Sequence, residues 1–316
     1  DLGSVGEHEL DPDLEAEGDD PLDHSLLGAL VALVQSGVTP PGDVRLIAQA
    51  DEELPGERAV VRVDELIGYA RVFQHRFGAA AARLRRLVRD GSLGRPLVAT
   101  CETLWYRPDE YFDVPWRGRW DIEGGGPTMG HGIHQFDLLL SILGPWSEVT
   151  SLAGRLARPT DTEDVSVAAV RFANGALATI VNSLLSPRET SRLRFDFEYA
   201  TLELEHLYGY SEEHWRFTPL PGHEELEALW APDDEPDVTS SHALQIEAVF
   251  DAWDAGEAPG VSLADARHTL ELAAATYASA FRKAPVAAGE LTREDPFTLS
   301  MDGGAVPWEP VKEALV

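Results

Sequence analysis

Cysteine, lysine and methionine are nearly missing: the sequence holds one cysteine, two methionines and only Lys283 and Lys312. A lone Cys101 closes no intramolecular disulfide and excludes a cysteine-built metal site, so a cytoplasmic location is expected. No apolar run approaches the roughly 20 residues that a membrane-spanning helix needs. The longest, residues 26–34, is broken by Gly28, and with no basic segment ahead of it the run makes a poor signal peptide. Positive charge is scarce, 25 Lys+Arg against 55 Asp+Glu, for a net charge of −30. Such a surface repels nucleic acid and anionic lipid, so neither is an expected partner. Arginine in place of lysine beside abundant carboxylates fits a high-salt cytoplasm and a GC-rich genome equally well. The sequence opens on Asp1 rather than Met, as a fragment or processed form does.

What is present is enough for a sizeable core: 316 residues, 44% of them hydrophobic. Residues 1–23 are acidic, carry Gly and Pro and have no apolar period, which predicts a disordered arm. Residues 24–74 read as an abbreviated α/β unit: a helix over 26–35, strands over 44–50, 59–63 and 70–74, and a helical turn over 63–67. A helix over 78–89 follows, stopped by Asp90-Gly91. Residues 96–106 alternate as a strand. An aromatic-rich loop over 106–120, the run Gly124-Gly125-Gly126-Pro127 and a helix over 128–143 come next. The period then changes to two, with strands over 149–156, 165–172, 176–185, 193–198, 200–207 and 215–220. Asn174-Gly175 suits a hairpin turn, because both residues tolerate positive φ. Strands joined this closely make an antiparallel sheet. Residues 221–238 read as a loop. Two helices end the chain, one capped by Ser240 or Ser241, the other by Ser262, with Leu270, Leu272 and Ala273 inward.

Three stretches taken together carry a resemblance. The first is Val72-Phe73-Gln74-His75-Arg76-Phe77, just before a helix. The second is Trp116-Arg117-Gly118-Arg119-Trp120 followed by Glu123-Gly124-Gly125-Gly126. The third is Gly132-Ile133-His134-Gln135-Phe136-Asp137-Leu138-Leu139, with Gly144 closing the helix. In this order and spacing they resemble the C-terminal domain of the Gfo/Idh/MocA oxidoreductases, over about three quarters of the chain. The resemblance implies an α/β fold: an abbreviated Rossmann-like N-terminal unit, then an α+β substrate and dimerisation domain over 75–316 with a large, mostly antiparallel sheet. It also implies an NAD- or NADP-dependent oxidoreductase, a sugar or polyol as substrate, and a homo-oligomer formed through the sheet.

His134 matches the family's helix histidine, placed to exchange a proton with the reacting oxygen. His131, Asp137 and Arg76 are candidate substrate contacts, and Gln74 and His75 lie where cofactor and substrate meet. Trp105, Tyr106, Tyr111, Trp116 and Trp120 cluster in a short stretch. Aromatic faces stack on pyranose rings, and Trp105 and Trp120 are the better candidates, the rest serving as core. Arg117 and Arg119 read as salt-bridge partners. No metal site is expected: His131, His134 and Asp137 stand three residues apart in turn, so the outer two drift off one helix face.

The sequence departs from the family in three places. Gly130 stands where the family has Asp, one turn before His134. No Gly-x-Gly-x-x-Gly turn follows a strand, and there is no Glu-Lys-Pro lysine. Three readings stay open on these residues: the oxidoreductase, a non-catalytic sugar-binding or assembly subunit, or a truncated relative whose fold is merely inherited.

Overall fold

The computed structural model describes residues 73–232, 237–255, 257 and 260–312. The expected acidic arm and most of the shortened α/β unit lie outside the described residues. From that unit Gln74 is described, and it is not in a strand as expected; it opens the helical turn Gln74–Phe77.

Helix α1, Ala79–Arg89, buries Ala80, Ala81, Leu84 and Leu87. Strand β1, Pro96–Tyr106, occupies the predicted residues and turns Ala99, Cys101, Thr103 and Trp105 inward. A single helical turn α2, Pro127–Gly130, precedes helix α3, Gly132–Leu143. The expected unbroken helix over 128–143 is therefore interrupted at His131, whose φ of −121° takes it off the helical path between two glycines. Beyond α3 run β2 (Trp146–Gly154), β3 (Val165–Phe172), β4 (Leu177–Ser183), β5 (Leu185–Phe197), β6 (Ala200–His206) and β7 (Trp215–Pro219). Helices α4 (His242–Ala255) and α5 (Leu263–Arg282) follow, then the short β8, Val286–Ala287. Ser262 caps α5 as expected, its side chain accepting the Asp265 N–H. Inside the expected loop over 221–238 the chain makes one helical turn, Leu226–Trp230, whose Trp230 ring stacks on Phe217.

The eight strands form one sheet in the order β7-β6-β5-β1-β4-β3-β2-β8. All pairings are antiparallel except β1 with β4. Strand β1 thus lies between β4 and β5, which follow each other in the chain without pairing. Helices α3 and α5 pack against each other and against the inner face, α3 on β1 and α5 on β2. Among the described residues the other face is open. Its side chains include Leu152, Val167, Leu177 and Val98, all exposed.

Candidate functional site

The N-terminus of α3 is seated by close backbone approaches. A Cβ on Gly126 would lie 1.9 Å from the Glu163 carbonyl oxygen, and one on Gly132 would lie 2.1 Å from Asn182 Oδ1. At Gly126 the obstacle is backbone and only glycine fits, which accounts for the last glycine of the Gly-rich turn; at Gly132 the Asn182 side chain would have to move. His131 is the N-cap residue and His134 lies in the first turn. Both are buried, 7% and 8% exposed.

The turn Gln74–Phe77 is locked to α3 by charge. Arg76 Nε donates to Asp137 Oδ2 at 2.5 Å and Nη2 to Oδ1 at 2.6 Å, a forked geometry that fits guanidinium to carboxylate. Thr269 Oγ1 donates to Asp137 Oδ1 at 3.3 Å, and Asp265 lies 3.5 Å from Arg76 Nη1. Burial works against the Arg76 charge, but its bonds to Asp137 and attraction to Asp265 outweigh it and raise the guanidinium pKa. The Phe73 N–H donates to Gln245 Oε1 at 2.8 Å, tying the same turn to α4.

This lock brings His75 to His134. Their ring centroids are 5.9 Å apart, edge to face. His75 also meets Tyr208 at 5.2 Å and Tyr210 at 4.3 Å. Only 1% exposed, it has no hydrogen-bond partner on either ring nitrogen among the described residues. Burial, helped by His134 and His242, lowers its pKa well below the usual histidine value, so the ring is neutral near pH 7. Gln74 donates through Nε2 to the Tyr208 hydroxyl, while its buried Oε1 has no partner among the described residues. One neutral imidazole and one carbonyl oxygen are therefore left with hydrogen-bonding capacity beside His134.

Trp105 joins from the end of β1. Its ring meets His131 at 4.7 Å and Tyr208 at 6.4 Å, and its indole N–H donates to Ser191 Oγ at 3.0 Å. Trp120 packs elsewhere, on Tyr277 and Phe281, with its indole N–H on the Asp161 carbonyl at 2.7 Å. Arg119 pairs with Asp121 at 3.0 Å, and Arg117 donates to the Tyr111 hydroxyl. Sequence reasoning missed Tyr208, Tyr210, Gln135 and Gln245. Gln135 Nε2 donates to Tyr210 at 2.7 Å. The available signal was Tyr208-Gly209-Tyr210 just past a strand end, with Gly209 at φ +72° turning both rings back.

Among the described residues no group of three or more His, Cys, Asp or Glu is arranged to hold a metal, and no helix is long and apolar enough to cross a membrane.

No curated protein matches the sequence. Solved structures do. The WlbA dehydrogenase from Bordetella pertussis, in complex with NADH and UDP-GlcNAcA, is 26% identical with a TM-score of 0.56, the match covering 68% of this chain and 62% of that one. Levoglucosan dehydrogenase, in complex with NADH and levoglucosan, is 18% identical with a TM-score of 0.57 and is alike in fold, over 69% of this chain and 66% of that one. The chain thus spans less than two thirds of the length of either. Residues 81–203 match the family model of the GFO/IDH/MocA C-terminal domain. The expectation drawn from the three stretches and these matches agree: residues 81–203 are similar to the Gfo/Idh/MocA C-terminal domain.

Proposed function

We propose that the chain works as an NAD- or NADP-dependent oxidoreductase on the hydroxyl or carbonyl group of a sugar or polyol. The observation that carries this reading is the pairing of His134 with neutral His75 at the glycine-seated end of α3. The unpartnered Gln74 Oε1 and His75 ring nitrogens fit the polar edge of a nicotinamide carboxamide or a sugar hydroxyl. A bound nicotinamide supplies or accepts the hydride. His134 takes or returns the hydroxyl proton, and His131 and Trp105 border the sugar, the indole as an apolar wall. Arg76 and Asp137 hold the two halves of the site in register rather than facing the sugar. The WlbA dehydrogenase and levoglucosan dehydrogenase structures each hold NADH, which supports a nicotinamide cofactor. A cytoplasmic location goes with this reading.

The same reading places a second copy of the chain on the open sheet face. Leu152, Val167 and Val181 stand side by side there, as do Leu177 and Val98. Beyond them a charged row, Glu102, Arg192 and Glu205, crosses β1, β5 and β6.

Calorimetric titration with NADH and NADPH, followed by absorbance at 340 nm with sugars and polyols, tests the proposal. Saturable micromolar binding, about 8 kcal/mol, and turnover lost in His134→Ala are expected. A folded chain that binds neither cofactor sinks it. A second reading, a non-catalytic sugar-binding or assembly subunit, is favoured by Gly130, which leaves His134 without the family's carboxylate one turn earlier. Sugar binding without cofactor binding is its signature.

A further inference from the structure

Glu163 touches none of the rings of the site, yet its side chain is 0% exposed. It stands just before β3. Its Oε2 accepts the Gly126 N–H at 3.0 Å, and its Oε1 accepts the Thr128 N–H at 3.1 Å and the Tyr277 hydroxyl at 2.8 Å. Among the described residues no cation stabilises it. Burying a carboxylate on neutral donors alone is costly, and burial pushes this carboxyl up to about 7 against the pull of those donors. A glutamine of the same shape would turn an NH2 group onto at least one of these donors, so the site is cut for an acceptor on both oxygens.

The two N–H groups that Glu163 holds flank Pro127, the first residue of α2. The far end of that turn is fastened by the same network. Thr128 Oγ1 lies 2.6 Å from Ser166 Oγ, Asn182 Nδ2 donates to Ser166 Oγ at 3.0 Å, and Gly132 is pressed on Asn182. Between those two fastenings the chain passes through His131 into the first turn of α3, which bears His134.

We infer that Glu163 is the positioning residue of the histidine-bearing turn: its carboxylate grips the N–H groups of Gly126 and Thr128 and so sets where His131 and His134 stand. Once protonated, one of its oxygens becomes a donor that itself needs an acceptor and keeps only part of its accepting capacity, so the converging donors are held less firmly. The turn must then shift or the Tyr277 hydroxyl must rotate. Tyr277, from α5, is the titratable group that faces Glu163 among the described residues. Burial and Glu163 hold its hydroxyl well above the usual tyrosine value, so it keeps its proton through this range. The neighbouring Asp164 carboxylate is turned away, accepting the N–H groups of Leu156, Ala157 and Arg158. Thr128, Ser166 and Asn182 are uncharged.

The inference rests on the histidine-bearing turn being the working part of the proposed site, and its test needs no turnover. Backbone amide NMR of the full chain is followed from pH 5 to 9. The Gly126, Thr128 and His131 amides are expected to move together with a midpoint near pH 7. Tyr277→Phe, which removes one donor to the carboxylate, is expected to move that midpoint up, and Glu163→Gln to abolish it. Movement of Gly126 and Thr128 with His131 unmoved, or a midpoint indifferent to Tyr277→Phe, overturns the inference and leaves Glu163 a structural peg. If Glu163→Gln does not fold, Tyr277→Phe alone decides. Absent NADH binding at pH 8 with these amide shifts intact refutes the oxidoreductase reading and spares this one.

Discussion

Arg76 and Asp137 are joined by two parallel hydrogen bonds of 2.5 and 2.6 Å, and the carboxylate side chain is 0% exposed. The pair spans the boundary between the turn Gln74–Phe77 and α3, so it holds His75 against His134. Removing one partner strands a buried charge, which typically costs about 3–5 kcal/mol. Asp137→Ala is therefore expected to lower the free energy of unfolding, read from urea titration, by an amount of that order. Arg76→Met with Asp137→Leu removes both charges and is expected to recover much of the loss in stability. A single variant with unchanged stability contradicts the buried pairing.

Much of this architecture was legible because the strands alternate. Strands β1 and β3 fall on the residues the pattern predicts, each with one face buried. The start of β5 was hidden because Pro187 lies in it, where the register with β1 shifts between Leu104 and Tyr106. Proline and a bulge erase the alternation that marks a strand. The place of β1 was illegible for another reason. Strands β4 and β5 are separated only by Leu184, yet β1 lies between them and pairs with both. Pairing across such distances depends on burial of the whole inner face, which no local pattern encodes. In the site, His131, His134, His75 and Trp105 came from motifs and do lie together. Tyr208 and Tyr210 come from a loop whose local sequence resembles ordinary turn chemistry. Trp120, equal to Trp105 by sequence, opens the helical turn Trp120–Glu123 and packs on Tyr277 of α5.

Glu163 ties stability to pH with a sign opposite to that of most carboxylates. Burial raises its folded value to about 7, from an ordinary 4.5. The folded chain therefore holds a proton that the unfolded chain has lost, and the stabilisation is full below about pH 4.5 and gone above about 7. The gap corresponds to a few kcal/mol, on the order of 3. Asp265 acts the other way: burial opposes its charge, but its bonds to Ser262 and the nearby Arg76 lower its value, so its share is lost at acid pH. Urea unfolding of the wild type and of Glu163→Gln across pH 4–8 separates the two. The difference in stability between them is expected to shift in favour of the variant as pH rises through this window. A constant difference denies the raised value.

Gly126→Ala brings a Cβ to within 1.9 Å of the Glu163 carbonyl oxygen, a backbone atom that cannot swing aside. Overpacking typically costs about 1–3 kcal/mol, and here the strain falls on the turn that carries the histidines. Loss of stability by thermal unfolding is expected, together with weaker ligand binding than the stability loss alone explains. Gly175→Ala is the control. It is a hairpin position at φ +93° with open space around it, so its strain stays local and binding is expected to hold.

The open sheet face gives the proposed second copy a direct test. Leu152 is 74% exposed, and Val167, its neighbour across the β2–β3 pair, is 43% exposed. Exposed β-branched and leucine side chains side by side are costly to leave in water, and a partner sheet would cover them. Two aspartates there would have to be buried unpaired in such an interface, which strongly disfavours association. In a monomer they would stay solvated, so the fold itself should be little affected. The doubly substituted chain, Leu152→Asp with Val167→Asp, is expected to keep its thermal midpoint within a few degrees and to run as a monomer in light scattering, where the wild type runs as an oligomer. A wild type already monomeric at micromolar concentration removes the second copy from this face, because the exposed apolar row would then be tolerated without a partner.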